Sequence, residues 1–360
     1  MKTLKIEDIR QKISCFPRKS FIQRPTPLSK LAVLSAELAG PEIFIKRDDL
    51  TGIGFGGNKS RKLEFIIADA LAQAADSLVT WGSLQSNWCL QAAAAARRFG
   101  MKPLLVLFKT YDLPEEYDGN LLLDRILGAE IRIKEARRGK VVRLEDAFGA
   151  IEEAASELRA EGGRPYLVSV GGSMPGGSMT KPLGAISYLE AFAETLEQCR
   201  ERKIGMTHIL LATGSGATQA GLTLGAKALA ENVKVLGISV SEEKEAFARD
   251  VLAIGRALNE LLGLGLPLTR EDCLVFDEYL KDGYGVVNRE VAEAIRLVFS
   301  REGIILDPVY TGKAMAALID MVRKGHFKKE DKVVFFHTGG TPALFPNRRA
   351  LVELLSPHYS

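Results

Sequence analysis

An α/β protein with two parallel-sheet domains is what this sequence predicts. Two observations carry that reading. Short apolar runs of strand length alternate with longer helical patterns through most of the 360 residues, the order that builds parallel sheets covered on both faces. No repeat of solenoid period and no low-complexity linker interrupts them, so the domains should pack closely instead of hanging apart on a tether. The expected division is a large domain of residues 1–55 and 179–360 around a small domain of residues 56–178.

Taken in order, residues 1–25 are polar with aromatic and proline interruptions. Arg24-Pro25-Thr26-Pro27-Leu28 reads as extended, since each proline restricts the residue before it. A short amphipathic helix is expected over 31–38 and a strand over 42–47. The turn Gly56-Gly57-Asn58-Lys59 leads into a helix over 63–75. A buried strand over 77–82 runs through Ser83-Leu84-Gln85-Ser86-Asn87 into an alanine-rich helix stopped by Gly100. Strands over 102–108, 130–133 and 166–170 then alternate with helices over 120–127 and 144–161. The glycine-rich loop 171–178 precedes a helix over 183–200. The second half repeats this logic, with strands over 208–212, 233–240, 273–276 and 332–337. Helices over 219–229, 242–262, 290–302 and 313–323 lie between and beside them.

Composition removes several classes of function. The chain is 46% hydrophobic and 26% charged, as a soluble globular protein should be. A net charge of +3, with no basic cluster interleaved with aromatics, argues against nucleic acid. Cys15, Cys89, Cys199 and Cys273 are scattered, which suggests free thiols in a reducing compartment. His208, His326, His337 and His358 have no metal-ligand spacing, and no metal site is expected. The first residues lack an apolar core and no run is long enough to span a bilayer, so a cytoplasmic protein that touches no membrane is expected.

The groups that could carry chemistry sit in the turns. Lys59 stands at a loop–helix junction, where a helix N-terminus disfavours an ammonium and lowers its pKa. Such an amine can form a Schiff base, although any single lysine is more often a solvated one. Thr213-Gly214-Ser215-Gly216-Ala217-Thr218 ends a strand and opens a helix. Its amides and hydroxyls could cup a phosphate, and a plain glycine-rich turn is the alternative. Ser86 and Asn87 could serve a site or simply cap a helix. Tyr284, flanked by two glycines in a setting that looks exposed, and Tyr310 could line a site or pack. Gly52-x-Gly54-x-x-Gly57 matches a dinucleotide fingerprint in form only, because no acid ends the next strand to meet a ribose. A candidate Schiff-base lysine and a phosphate cup without a nucleotide-type lysine together suggest pyridoxal phosphate.

Five motifs in order then carry a family resemblance. They are Gly56-Gly57-Asn58-Lys59-x-Arg61-Lys62-Leu63-Glu64, Gln85-Ser86-Asn87, Thr213-Gly214-Ser215-Gly216-Ala217-Thr218, Asp307-Pro308-Val309-Tyr310-Thr311-Gly312-Lys313 and His337-Thr338-Gly339-Gly340. Over residues 24–350 the chain resembles the D-cysteine desulfhydrase and 1-aminocyclopropane-1-carboxylate (ACC) deaminase family. That family is a branch of the tryptophan-synthase-β-like, fold type II, pyridoxal phosphate enzymes. The resemblance implies that Lys59 holds the cofactor as a Schiff base and that Asn87 contacts the ring 3′-oxygen. It implies that Gly214, Ser215, Gly216, Ala217 and Thr218, with Thr213 beside them, bind the phosphate, and that Thr338 faces the pyridine nitrogen. Gln85, Ser86 and Asn87 would receive the substrate carboxylate, while Tyr284 and Tyr310 would line the substrate side of the ring. A homodimer is implied as well.

The deaminases of the family carry an acid where this chain has Thr311. A hydroxyl there leaves the ring a weaker electron sink, which favours β-elimination over opening a cyclopropane. The expected reaction converts a small β-substituted D-amino acid, D-cysteine first, to pyruvate, sulfide and ammonia, with Lys59 as base. Two departures bear on the substrate. Trp88 stands where relatives have histidine or glutamine, and the loop 171–182 is longer than usual. An ACC deaminase-like lyase, another lyase or a racemase are the alternatives within this chemistry. A non-catalytic cofactor binder and a nucleotide module are those outside it.

Overall fold

The computed structural model describes residues 4–110, 117–137, 142, 144–230, 232–280 and 283–356. His358, of the four histidines, lies outside them.

Two sheets form the frame. The larger has six strands: β1 (Leu28–Lys30), β2 (Glu42–Arg47), β7 (His208–Thr213), β8 (Lys234–Ser239), β9 (Leu274–Phe276) and β10 (Lys332–His337), in the order β1-β2-β10-β7-β8-β9. All its pairs are parallel except β1 against β2. The smaller has four parallel strands, β3 (Ser77–Ser83), β4 (Lys102–Lys109), β5 (Glu130–Glu135) and β6 (Pro165–Leu167), ordered β5-β4-β3-β6. Every residue of β3 and β7 is buried, the signature of strands covered on both faces. At one edge, β5 reads Glu-Ile-Arg-Ile-Lys-Glu, and such charges keep an unpaired edge from recruiting another strand.

Helices α2 (Ala32–Leu38), α6 (Leu144–Ala160), α7 (Leu183–Glu201), α9 (Lys244–Leu261) and α10 (Arg289–Glu302) fall close to their expected spans. So do α4 (Asn87–Arg98), α5 (Gly119–Ile126), α8 (Ala217–Leu229) and α11 (Thr311–Arg323). Two differences have physical causes. Helix α1 (Ile6–Ser14) lies in a stretch that composition marks as irregular. Ile6, Ile9 and Ile13, spaced on one helical face, are buried in the main core and outweigh the polar residues between them. Helix α3 (Asn58–Ala72) begins five residues before the expected start. Its first turns bury Ser60, Arg61, Lys62 and Glu64, so apolar periodicity misses them. The final helix, α12 (Arg348–Leu355), was not anticipated either; it buries only Leu351.

A buried ionic cluster ties α3 to the large sheet and α7. Arg61 donates to both carboxylate oxygens of Asp48 and to Glu194 at 2.8–3.1 Å. Lys46 donates to Glu194 Oε1 at 2.5 Å, to Gln198 Oε1 and to the Thr26 carbonyl. Two cations and two carboxylates thus balance with almost no water. Burial alone would raise Glu194, but Arg61 and Lys46 outweigh it and hold the carboxyl at about 2.

Candidate active site

A cavity of about 340 Å³ opens where the carboxyl ends of β3, β4, β6 and β7 meet, the place where open α/β sheets take ligands. Lys59 lies in the first turn of α3 and lines this cavity. Its Nζ donates to Asn58 Oδ1 at 2.9 Å. Loss of bulk water lowers the amine to about 8, opposed by the charge of Asp307. Burial, then, is the main cause of the shift the sequence attributes to the helix N-terminus. Asn58 Nδ2 donates to Thr218 Oγ1 and its backbone N–H to the Thr338 carbonyl, joining lysine, phosphate turn and Thr338 in one network. This approach demands glycine: a Cβ on Gly339 would lie 2.7 Å from the Gly57 Cα.

Facing Lys59 is the turn that ends β7. Gly214, Ser215, Gly216 and Thr218 line the cavity, and α8 starts at Ala217 without a side-chain cap. Its first amides are therefore aimed at an anion. Thr213 Oγ1 is buried there with no partner, an orphaned donor awaiting an acceptor. Ala217 is buried behind the turn and offers only backbone. From the glycine-rich loop after β6, Ser173 Oγ donates to Ser215 Oγ at 2.8 Å, a contact the sequence does not single out.

Four further segments supply the expected groups of the wall. Ser86 caps α4, accepting from Cys89 N, and also lines the cavity, so capping and site roles coincide. Asn87 and Thr338 line it too. Tyr284 and Tyr310 meet across it, hydroxyl to hydroxyl at 2.6 Å, with Ser83 Oγ 3.4 Å from Tyr284. Tyr284 is buried, not exposed as its glycine neighbours suggested. Burial raises its pKa, and the hydrogen bonds from Ser83 and Tyr310 partly offset that. Gln85 is the exception among the expected groups. Its Oε1 accepts from Asn120 N and its Nε2 donates to the Asp118 carbonyl, so its amide serves the loop before α5 and it is not on the cavity wall. Thr311 also turns away, its hydroxyl donating to Asp307 Oδ1 at 2.7 Å.

Trp88 lines the cavity too. Its Nε1 donates to Thr80 Oγ1, which in turn donates to the Val168 carbonyl. A Cβ on Gly172 would stand 3.2 Å from the indole. The two departures, Trp88 and the long glycine loop, are thus packed against each other. Among the described lining residues Lys59 is the only base, while Glu242 and Asp250 are acidic. No group of His, Cys, Asp and Glu among the described residues could hold a metal, and none of their helices is long and apolar enough to cross a membrane.

One lowered amine opposite a neutral, amide-lined anion cup defines the class: an α/β enzyme that holds a phosphorylated aldehyde cofactor. The family model described as "Pyridoxal-phosphate dependent enzyme" matches residues 19–339, and the chain belongs to that family, in its fold type II branch. Its cofactor is pyridoxal phosphate. The chain is 40% identical over 333 residues to the D-cysteine desulfhydrase of Salmonella typhimurium, covering 92% of this chain and 96% of the relative. It is 37% identical to a solved ACC deaminase homologue, with a TM-score of 0.86 over 97% of this chain and 99% of the other. A tomato (Solanum lycopersicum) threonine deaminase, 17% identical with a TM-score of 0.65 over 97% of this chain and 93% of the other, shares the fold.

Proposed function

We propose that this protein is a β-eliminating lyase acting on a small β-substituted D-amino acid, D-cysteine first, and releasing pyruvate, sulfide and ammonia. The observation that carries the chemistry is the Lys59 amine, lowered to about 8 and set in one cavity with a proton-sharing tyrosine pair. The choice of substrate is supported by the curated desulfhydrase relatives.

Pyridoxal phosphate supplies an aldehyde for an amine and a sink for the electrons of the substrate's α-carbon. Lys59 would hold it, the 213–218 turn would bind its phosphate, Asn87 would meet the ring oxygen and Thr338 the ring nitrogen. The substrate carboxylate goes to the N-terminus of α4, where Ser86 Oγ–H and the unpaired amides favour an anion. With its amine free, Lys59 Nζ would take the α-proton, as an amine near its pKa does well. The Tyr284–Tyr310 pair stands ready to give a proton to the departing sulfur. Trp88 narrows the pocket with an apolar face and keeps a second base away from the substrate.

The small domain of 56–178 between the two parts of a large one fits the sheets, since the four-stranded sheet draws only on residues 77–167. A homodimer in the cytoplasm is the proposed setting, in keeping with four unpaired cysteines.

The test is keto-acid and sulfide release from D-cysteine, with L-cysteine and ACC run beside it. Sulfide and pyruvate from the D-isomer alone bear the reading out. Turnover of ACC, or equal turnover of L-cysteine, overturns it.

A further inference from the structure

Asn120, the second residue of α5, is fully buried, yet it touches the site through a single atom. Its Nδ2 carries two hydrogens, and both are committed. One goes to the Gln85 carbonyl at 2.9 Å, the other to Asn87 Oδ1 at 2.8 Å. Its backbone N–H donates to Gln85 Oε1 at 2.7 Å. Its own Oδ1 is buried with no partner. A buried carbonyl without a partner is costly, and turning the amide is the way to relieve it. Here the turned amide would set oxygen against oxygen at both the Gln85 carbonyl and Asn87 Oδ1. The orientation is fixed, and the orphan is its consequence.

A fixed Asn120 fixes Asn87. With Oδ1 of Asn87 held by a donor, Nδ2 is the end left to the cavity that Asn87 lines. An amide free to rotate would present donor or acceptor in turn. A clamped one presents only N–H. We infer that Asn120 is a positioning residue that locks the Asn87 amide with its donor toward the cofactor's ring oxygen. This rests on the reading that Asn87 meets that oxygen. A donor there stabilises the anionic oxygen, and its loss makes the oxygen hold its neighbouring proton more tightly.

The test is a pH titration of the bound cofactor's visible absorbance in four holoenzymes: native, Asn120→Leu, Asn87→Ala and the double variant. The lock predicts that Asn120→Leu raises the midpoint by about one pH unit, the size of one hydrogen bond to a charged oxygen. It predicts no further shift when Asn120→Leu is added to Asn87→Ala, since both act through one contact. Asn120→Ser, which cannot reach Asn87, serves in the same way should the leucine variant not fold. An unmoved midpoint in the Asn120 variants, with Asn87→Ala shifted, overturns the lock and leaves the site intact. Equal and additive shifts overturn it too. An unmoved midpoint in Asn87→Ala would instead remove the role given to Asn87.

Discussion

Lys46 and Lys59 stand thirteen positions apart, both largely withdrawn from water, and their surroundings make them different instruments. Lys46 is wrapped by Glu194, Gln198 and the Thr26 carbonyl, inside a cluster that Asp48 and Arg61 complete. Burial lowers its pKa while Glu194 and Asp48 pull it back up. Lys59 hydrogen-bonds to the neutral Asn58 amide, and the charge of Asp307 opposes the lowering of its pKa without an ion pair. Asp307 is itself occupied by three backbone amides and the Thr311 hydroxyl. A paired buried lysine is a strut. An unpaired one on a cavity is a reagent, because its neutral form is within reach of physiological pH.

The sharpest way to break this comparison is to remove each lysine. Lys59→Ala should abolish turnover, by about 10⁴-fold or more, and leave the melting temperature nearly unchanged. Removing a member of the cluster should do the reverse. Glu194→Ala leaves Lys46 and Arg61 with one carboxylate between them and should cost about 3–5 kcal/mol in denaturant unfolding. A Glu194→Ala protein as stable as the native one would show that the cluster is no strut. Because its folded pKa is depressed, the stability Glu194 contributes is present above about pH 4.5 and is lost as pH falls toward 2.

The comparison is sharpened by making Lys59 resemble Lys46. Asn58→Asp sets a carboxylate 2.9 Å from Nζ and should raise the amine. Cofactor loading of the apo-protein needs a neutral amine, so its rate should climb through pH about 8 in the native chain. In Asn58→Asp the climb should move up by one unit or more, about tenfold slower loading at neutral pH. An unmoved profile would mean that pairing does not govern this lysine.

A third way of burying charge extends the comparison. Asp124, on α5, has both carboxylate oxygens buried without partners, and burial raises it to about 8. Its folded pKa exceeds the unfolded one, so stability is full below about pH 4 and declines as pH rises toward 8, by at most about 1.4 kcal/mol per unit. Asp124→Asn, neutral at every pH, should flatten that slope in melting curves from pH 5 to 8. An unchanged slope would place the carboxyl's proton elsewhere.

The sequence disclosed these two kinds of lysine unequally. Strands such as β2, β3 and β7 announce themselves as apolar runs, and the turn chemistry of Gly56-Gly57 and Gly214-Ser215-Gly216 marks where ligands approach. Lys59 was therefore legible from its motif. Lys46, Arg61 and Glu194 were not, since charged residues read as surface until the partner more than a hundred positions away is known. The same blindness hid the first turns of α3. Gln85 and Tyr284 show its converse: the family resemblance implied a carboxylate contact for one and glycine neighbours suggested exposure for the other, while the structure gives the Gln85 amide hydrogen bonds to Asp118 and Asn120 and buries Tyr284 against Tyr310. Asn120 carries no sequence signal, because its meaning lies in which end of another amide it faces.

The most direct test of the account is to reduce the holoenzyme with borohydride and map the modified lysine by peptide mass. Lys62 provides the control, since it lies one turn along α3, buried, its pKa driven well down by burial and by Lys59. Its Nζ is spent on the Gly171 carbonyl, 2.9 Å away. The account predicts the pyridoxyl group on Lys59 alone. Finding it on Lys62 or Lys46, or on no lysine, would contradict the claim that an unpaired amine on the cavity wall is the reagent of this protein.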